Sequence, residues 1–208
     1  MSYRDARVRR SAEVLARREF VGTGCLSLLS QAACASYSTK PSDTMPYTQL
    51  TEELNGLVAD ATVLYQKLRH YHWNVSGPHF FALHQQFEVL YTAWADAIDD
   101  LAERVRTLGG VPVHTLASVL HLATLEEDES VPGATEMVRR VAGDLERLHV
   151  RISDVLDEAE ETSQGTADLL NNILDHVEKD LWMLGAWLHA DDASQPLANA
   201  FQEVPAEA

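Results

Sequence analysis

From Thr48 onward the chain repeats apolar residues at intervals of three and four. Leu50, Leu54, Leu57, Val58, Ala61, Leu64, Tyr65 and Leu68 fall on one stripe, the spacing of a helix with a single buried side. Thr48 is its predicted N-cap. The pattern runs to Trp73 and stops at Ser76-Gly77-Pro78, which does not continue a helix easily. A second helix is predicted from Pro78 or His79, since Pro suits a first turn. Its apolar face is Phe80, Phe87, Tyr91, Trp94, Ile98, Leu101, Val105 and Leu108, and Gly109-Gly110-Val111-Pro112 ends it.

A short helix is expected within His114–Leu125, inside a long connection. Pro132-Gly133 opens a third long helix with Met137, Val138, Val141, Leu145, Leu148, Ile152, Val155 and Leu156 on one side. Gly165-Thr166 is predicted to separate it from a fourth, striped by Leu169, Leu170, Ile173, Leu174, Val177, Leu181, Leu184 and Leu188. No strand-like alternation of useful length interrupts these periods. Four long helices with one long connection between the second and third predict an all-α, ferritin-like four-helix bundle with a short extra helix in that connection.

Residues 1–44 read differently. They hold seven basic residues and four acidic ones, while residues 45–208 hold nine basic and 28 acidic. Arg17-Arg18-Glu19-Phe20, a moderately apolar run and Ala33-Cys34-Ala35 follow the order of an export signal, with a twin-arginine flavour. The segment is read as a leader: such a signal, a disordered tail, or sequence preceding a true start at Met45. Both cysteines, Cys25 and Cys34, lie in it, so a disulfide framework is not expected to hold the bundle. Residues 45–208 form the expected domain. Its acidity repels nucleic-acid phosphates and anionic membranes and attracts cations. No stretch approaches the ~20 continuous apolar residues of a membrane span.

Polar residues that intrude on buried stripes carry the chemistry. His72 lies four residues beyond Leu68 on the apolar side of the first helix. On the second helix, His84, Glu88, Asp99 and Glu103 sit at about 0°, 40°, 60° and 100° around the axis, one side of one helix. Along the axis, however, Glu88 and Asp99 are separated by roughly 16 Å. Metal ligands bind at roughly 2 Å, so the two pairs cannot share one ion within a straight helix. A second copy packed antiparallel about a two-fold axis sets His84 and Glu88 of one chain against Asp99 and Glu103 of the other. Imidazole with carboxylates suits iron, with positions left open.

The stretch His72-Trp73-Asn74-Val75-Ser76-Gly77-Pro78 and then Phe80-Phe81-Ala82-Leu83-His84 resembles the signature of the Dps family of mini-ferritins. Asp99-Asp100-Leu101-Ala102-Glu103-Arg104, Leu108-Gly109-Gly110 and Glu178-Lys179-Asp180-Leu181-Trp182-Met183-Leu184 resemble it too. The resemblance implies a hollow dodecamer that oxidises Fe(II), with hydrogen peroxide or oxygen, and stores Fe(III) mineral. Iron is thereby kept from Fenton chemistry, which protects DNA and cell. It implies His72, His84 and Glu88 as ligands from one subunit and Asp99 and Glu103 from its two-fold mate. Glu88 stands where the family often has Asp. Trp73 resembles the tryptophan beside the family's iron site, which takes up oxidising equivalents. Asp168 matches an acid lining the family's three-fold pores, with Gln164 where some members have another acid. Asp168 also reads as a first-turn acid on the helix dipole.

Two rivals differ in class. A di-iron site inside one subunit needs Glu-x-x-His on two helices; only Glu146 and His149 have that spacing, and they are read as surface. A nucleoid-compacting protein needs a basic arm. The acidic body has only Lys67 and Lys179 as lysines and is expected to bind DNA poorly by itself. His70, His79, His114, His121, His176 and His189 show no matched partner spacing and are read as structural or exposed. The expected location is the cytoplasm, with export through the leader as the alternative.

Overall fold

The computed structural model describes residues 47–194, with side chains through His189. The leader, both cysteines and the proposed start at Met45 lie outside the described residues. Five helices occur in the order α1 (Thr48–Asn74), α2 (Phe80–Thr107), α3 (Leu116–Leu122), α4 (Ala134–Thr162) and α5 (Gln164–Ser194). No strand occurs among the described residues. The all-α, ferritin-like bundle read from periodicity is the fold observed, with α3 the short helix of the α2–α4 connection.

The bundle is two helical hairpins. α1 and α2 are joined by residues 75–79, and α4 and α5 by Ser163 alone. Cross-links between α1 and α4 run in opposite directions along the two helices: Gln49 with Glu158, Asp60 with Arg151, Lys67 with Asp144. The two helices are therefore antiparallel. Between the hairpins and within them lies one core, with Leu54, Leu64, Leu68, Phe87, Val105, Val141, Leu145 and Leu170 sealed from solvent. Leu83 and Leu90 also belong to it.

Three boundaries differ from expectation. Thr48 is the first helical residue and Tyr47 the cap. The N–H of Thr51, which a Thr48 cap would take, is already bound by the Tyr47 carbonyl at 2.9 Å. α2 starts at Phe80, because a turn closed by Phe80 N–H to Gly77 O (3.1 Å) precedes it. Gly77 has φ +98° there, a conformation costly for residues with a Cβ. Gly165 and Thr166 do not separate α4 from α5; they lie inside α5. The Thr166 and Ser163 hydroxyls each accept a 2.8 Å bond from the Arg104 guanidinium. A Cβ on Gly165 would stand 3.2 Å from that guanidinium. Gly165 thus serves close approach rather than a break.

The long connection is tied down by carboxylates. Asp60, buried on α1, accepts the Thr124 and Leu125 N–H groups and pairs with Arg151. Asp128 accepts the Tyr71 hydroxyl, the Ser130 N–H and Arg140. His70 adds a 2.7 Å bond to Ser130 O. These contacts satisfy backbone groups that a buried loop would otherwise leave without partners.

Candidate metal centre

The end of α1 and the start of α2 meet through two histidines. His72 sits on the core-facing side of α1 and is buried; His84 sits one turn into α2 and is half-buried. Their rings stack with centroids 3.7 Å apart and 19° between planes. His72 Nδ1 bonds the His84 carbonyl at 2.7 Å, and His84 Nδ1 bonds the His72 carbonyl at 2.8 Å. A carbonyl oxygen only accepts, so each Nδ1 carries the proton. Each Nε2 is then left with its lone pair, the arrangement that prepares imidazole to bind a metal. The His72 carbonyl is also among the last of α1, which lack helical partners.

Three further side chains surround the pair. Tyr91 meets the His72 ring edge-on at 5.4 Å, and Phe80 stacks on His84 at 5.0 Å. Glu88 is exposed on α2, one turn beyond His84. Burial raises the Tyr91 pKa first, and the charge of Glu88 raises it further. Glu88, four residues after His84, shares its side of α2. Asp99 and Glu103, both exposed, stand three to four turns farther along that helix. Trp73 is 57% exposed, with the Arg69 guanidinium 4.8 Å over its ring.

One chain thus brings His72 and His84 together, with Glu88 one turn beyond His84, and leaves Asp99 and Glu103 apart. Among the described residues, no three His, Cys, Asp or Glu of the single chain converge on a common ion position.

A family model for the ferritin-like domain matches residues 51–193. The DNA protection during starvation protein of Brevibacillus brevis is 46% identical over 138 residues, covering 65% of this chain and 91% of that protein. The crystal structure of a Dps protein from Bacillus brevis superposes with a TM-score of 0.69 at 42% identity, covering 71% of this chain and 99% of that one. The chain belongs to the Dps family. The Dps protein of Vibrio cholerae, described as a member of a broad superfamily of ferritin-like diiron-carboxylate proteins, superposes at 0.68 with 36% identity, covering 70% of this chain and 92% of that one.

The interior of this Dps bundle is occupied by ion pairs rather than a ligand set. Lys67 and Asp144 pair at 2.5 Å where α1 faces α4, both buried, and Arg147 reaches the other Asp144 oxygen at 3.1 Å. Glu146 is exposed, and His149 turns to Glu178 at 3.1 Å on the rim of α5. The Glu146-x-x-His149 spacing is therefore surface, as read from the sequence.

Asp168 is exposed and accepts a 2.9 Å bond from Gln164. It lies beyond the first turn of α5, which contains no acid. The first-turn reading of Asp168 is corrected accordingly, because α5 begins at Gln164 and not after Thr166. Of the unmatched histidines, His70 holds the connection, His176 bonds Asn172 O, His114 bonds Pro112 O and His79 packs edge-on against Trp187.

Sequence reasoning filed Tyr91 under apolar stripe and passed over Arg69. Both had a signal. Tyr91 is three residues after Glu88 and seven after His84, on the same helical side. Tyr65, Arg69 and Trp73 are spaced by four, and Arg69 indeed lies 5.3 Å over Tyr65 as well as over Trp73. No helix of the described residues is long and apolar enough to cross a membrane.

Proposed function

We propose that this chain is an iron-oxidising and iron-storing mini-ferritin whose oxidation sites are shared between two-fold-related subunits of a dodecamer. His72, His84 and Glu88 of one subunit bind Fe(II) together with Asp99 and Glu103 of its mate. The stacked histidine pair supports this reading most directly. It holds two imidazoles in one tautomer with both Nε2 lone pairs free of a hydrogen bond among the described residues, one ring buried and the other half-buried.

Iron is the substrate. Two ferrous ions each give one electron to hydrogen peroxide, whose O–O bond breaks to yield water-level oxygen. Oxygen is the alternative oxidant. Ferric iron then hydrolyses to mineral and releases protons. The chain's part is to hold ligands in deprotonated or single-tautomer form and to keep the oxidant away from free solution iron. Trp73 stands next to His72 in sequence and accepts stray oxidising equivalents. Asp168, oriented by Gln164, lines the entry pore. Protection of DNA then follows from removing Fe(II) and peroxide together. The acidic body makes direct DNA binding unfavourable, and the proposed place of action is the cytoplasm.

The test is anaerobic Fe(II) loading followed by peroxide, read with particle mass. Replacing His84 and Asp99 together is expected to abolish rapid oxidation and leave the particle assembled. Unchanged oxidation kinetics in that variant reject the assignment.

A further inference from the structure

Tyr71 is the largest side chain of the described residues to be sealed from solvent, and the ligand set proposed above makes no use of it. It shares a peptide bond with His72. Its ring lies 5.9 Å from that of Phe87, three residues after His84 on α2. Its hydroxyl donates to one Asp128 oxygen, which also takes the Arg140 guanidinium at 2.7 Å. The other Asp128 oxygen takes the Ser130 N–H at 2.9 Å and the Ser130 hydroxyl at 2.7 Å. These donors hold the carboxylate as an anion against the phenol. A phenol that loses an electron becomes a strong acid and must shed its proton, and here a base is fixed at that proton.

We infer that Tyr71, with Asp128 as its proton acceptor, is the reserve electron donor of a site that holds one iron instead of two. The inference rests on the ligand set proposed above. A lone Fe(II) gives peroxide one electron and leaves ferric iron, hydroxide and a hydroxyl radical. Tyr71 supplies the second electron. Its O–H bond breaks, the proton goes to Asp128, and the electron turns the radical into a second hydroxide. A later Fe(II) gives an electron to the tyrosyl radical, and Asp128 returns the proton. Two ferrous ions, one peroxide and two solvent protons thus end as two ferric ions and two waters. Trp73 is exposed under the Arg69 guanidinium, so an oxidising equivalent held there meets solvent; one held on Tyr71 does not.

The experiment loads the assembled full chain anaerobically with Fe(II) at well under one ion per site, adds peroxide and freezes the mixture for electron paramagnetic resonance. A tyrosyl radical is expected in the parent, and ring-deuterated tyrosine should narrow its signal. Tyr71→Phe removes only the hydroxyl; it is expected to lose that signal and to release more hydroxyl radical to a spin trap. Asp128→Asn keeps the phenol without the base, and the signal should form about 100-fold more slowly. A parent without tyrosyl radical overturns the inference, as does a parental signal in Tyr71→Phe or a parental rate in Asp128→Asn. His84→Ala at full iron loading reads the ligand set separately. Parental oxidation there removes that set and the inference with it. Lost oxidation there, beside a parent without tyrosyl radical, removes only the role of Tyr71.

Discussion

A shared site has an arithmetic signature that a site within one chain lacks. His84 and Asp99 lie on one uninterrupted helix, and their separation of about 22 Å at ~1.5 Å per residue exceeds any side-chain reach. Consider one chain carrying His84→Ala and another carrying Asp99→Ala. Each alone assembles particles in which every site lacks a ligand. When the two are unfolded and refolded together, random pairing makes half of the two-fold pairs mixed. In a mixed pair one site lacks both ligands and the other has all five. The mixture should then recover about a quarter of the parental fast oxidation. Peroxide is added to the Fe(II)-loaded mixture, the rise of ferric absorbance is followed, and native mass confirms mixed particles. A mixture no faster than either variant alone refutes the sharing of sites, since a self-contained site cannot be complemented by a neighbour.

Other consequences reach into the scaffold. Lys67→Met leaves Asp144 buried without its main partner, and unfolding free energy in urea is expected to drop by about 3 kcal/mol, the exposed Arg147 softening a loss that reaches about 5 in other buried pairs. Replacing both Lys67 and Asp144 by apolar residues of similar volume is expected to restore most of it. Burial opposes ionisation of Asp128, but Ser130, Tyr71 and Arg140 outweigh burial and hold its carboxyl far below the ordinary 3.8. A depressed folded value means stability that is complete above the unfolded value and lost as pH falls below 3.8 toward the folded one. Asp128→Asn should therefore flatten the acid limb of a stability-against-pH curve; an unchanged limb contradicts the assignment. Gly77→Ala, at φ +98°, is expected to lower stability by about 1 kcal/mol in thermal melts.

The helices were legible because their stripes are long and regular, and the site histidines because His72 breaks one of those stripes. What stayed hidden was polar and cross-helical. Asp60, Lys67, Tyr71 and Asp144 all lie on the buried side of α1 or α4, yet no local pattern says which charge meets which. Lys67 and Asp144 are 77 residues apart, and only the antiparallel register of α1 and α4 brings them together. The α4–α5 boundary was misplaced for a related reason. Gly165 reads as a breaker by itself, but it lies under the guanidinium of Arg104, which arrives from the far end of α2 and would stand 3.2 Å from a Cβ there. Glycine marks either a break or a close approach, and the approaching group lies elsewhere in the sequence.

The interior ion pairs also bear on where the chemistry sits. A four-helix bundle offers two kinds of place for a metal: between its own helices, or on a face that another copy covers. The first requires carboxylates and histidines turned inward without cations of their own. Here the inward carboxylates Asp60 and Asp144 are matched by Arg151 and by Lys67. Introducing a cation would leave a lysine or arginine buried against it, at a cost of several kcal/mol per displaced ion. The second place fits the side chains present. Glu88, Asp99 and Glu103 lie exposed along α2, with Phe81 85% exposed and Val89 nearby on the same helix. Exposed apolar side chains such as Phe81 and Val89 gain only when something covers them. In the proposed two-fold pair the covering copy would bury these apolar residues and bring its acids to the two histidines in the same step, so assembly and metal binding should stabilise each other. Fe(II) or Co(II) should then raise the concentration of denaturant needed to dissociate the particle, by an amount that vanishes in His84→Ala. Dissociation that is indifferent to metal in the parent chain would separate the two events and place the ion elsewhere.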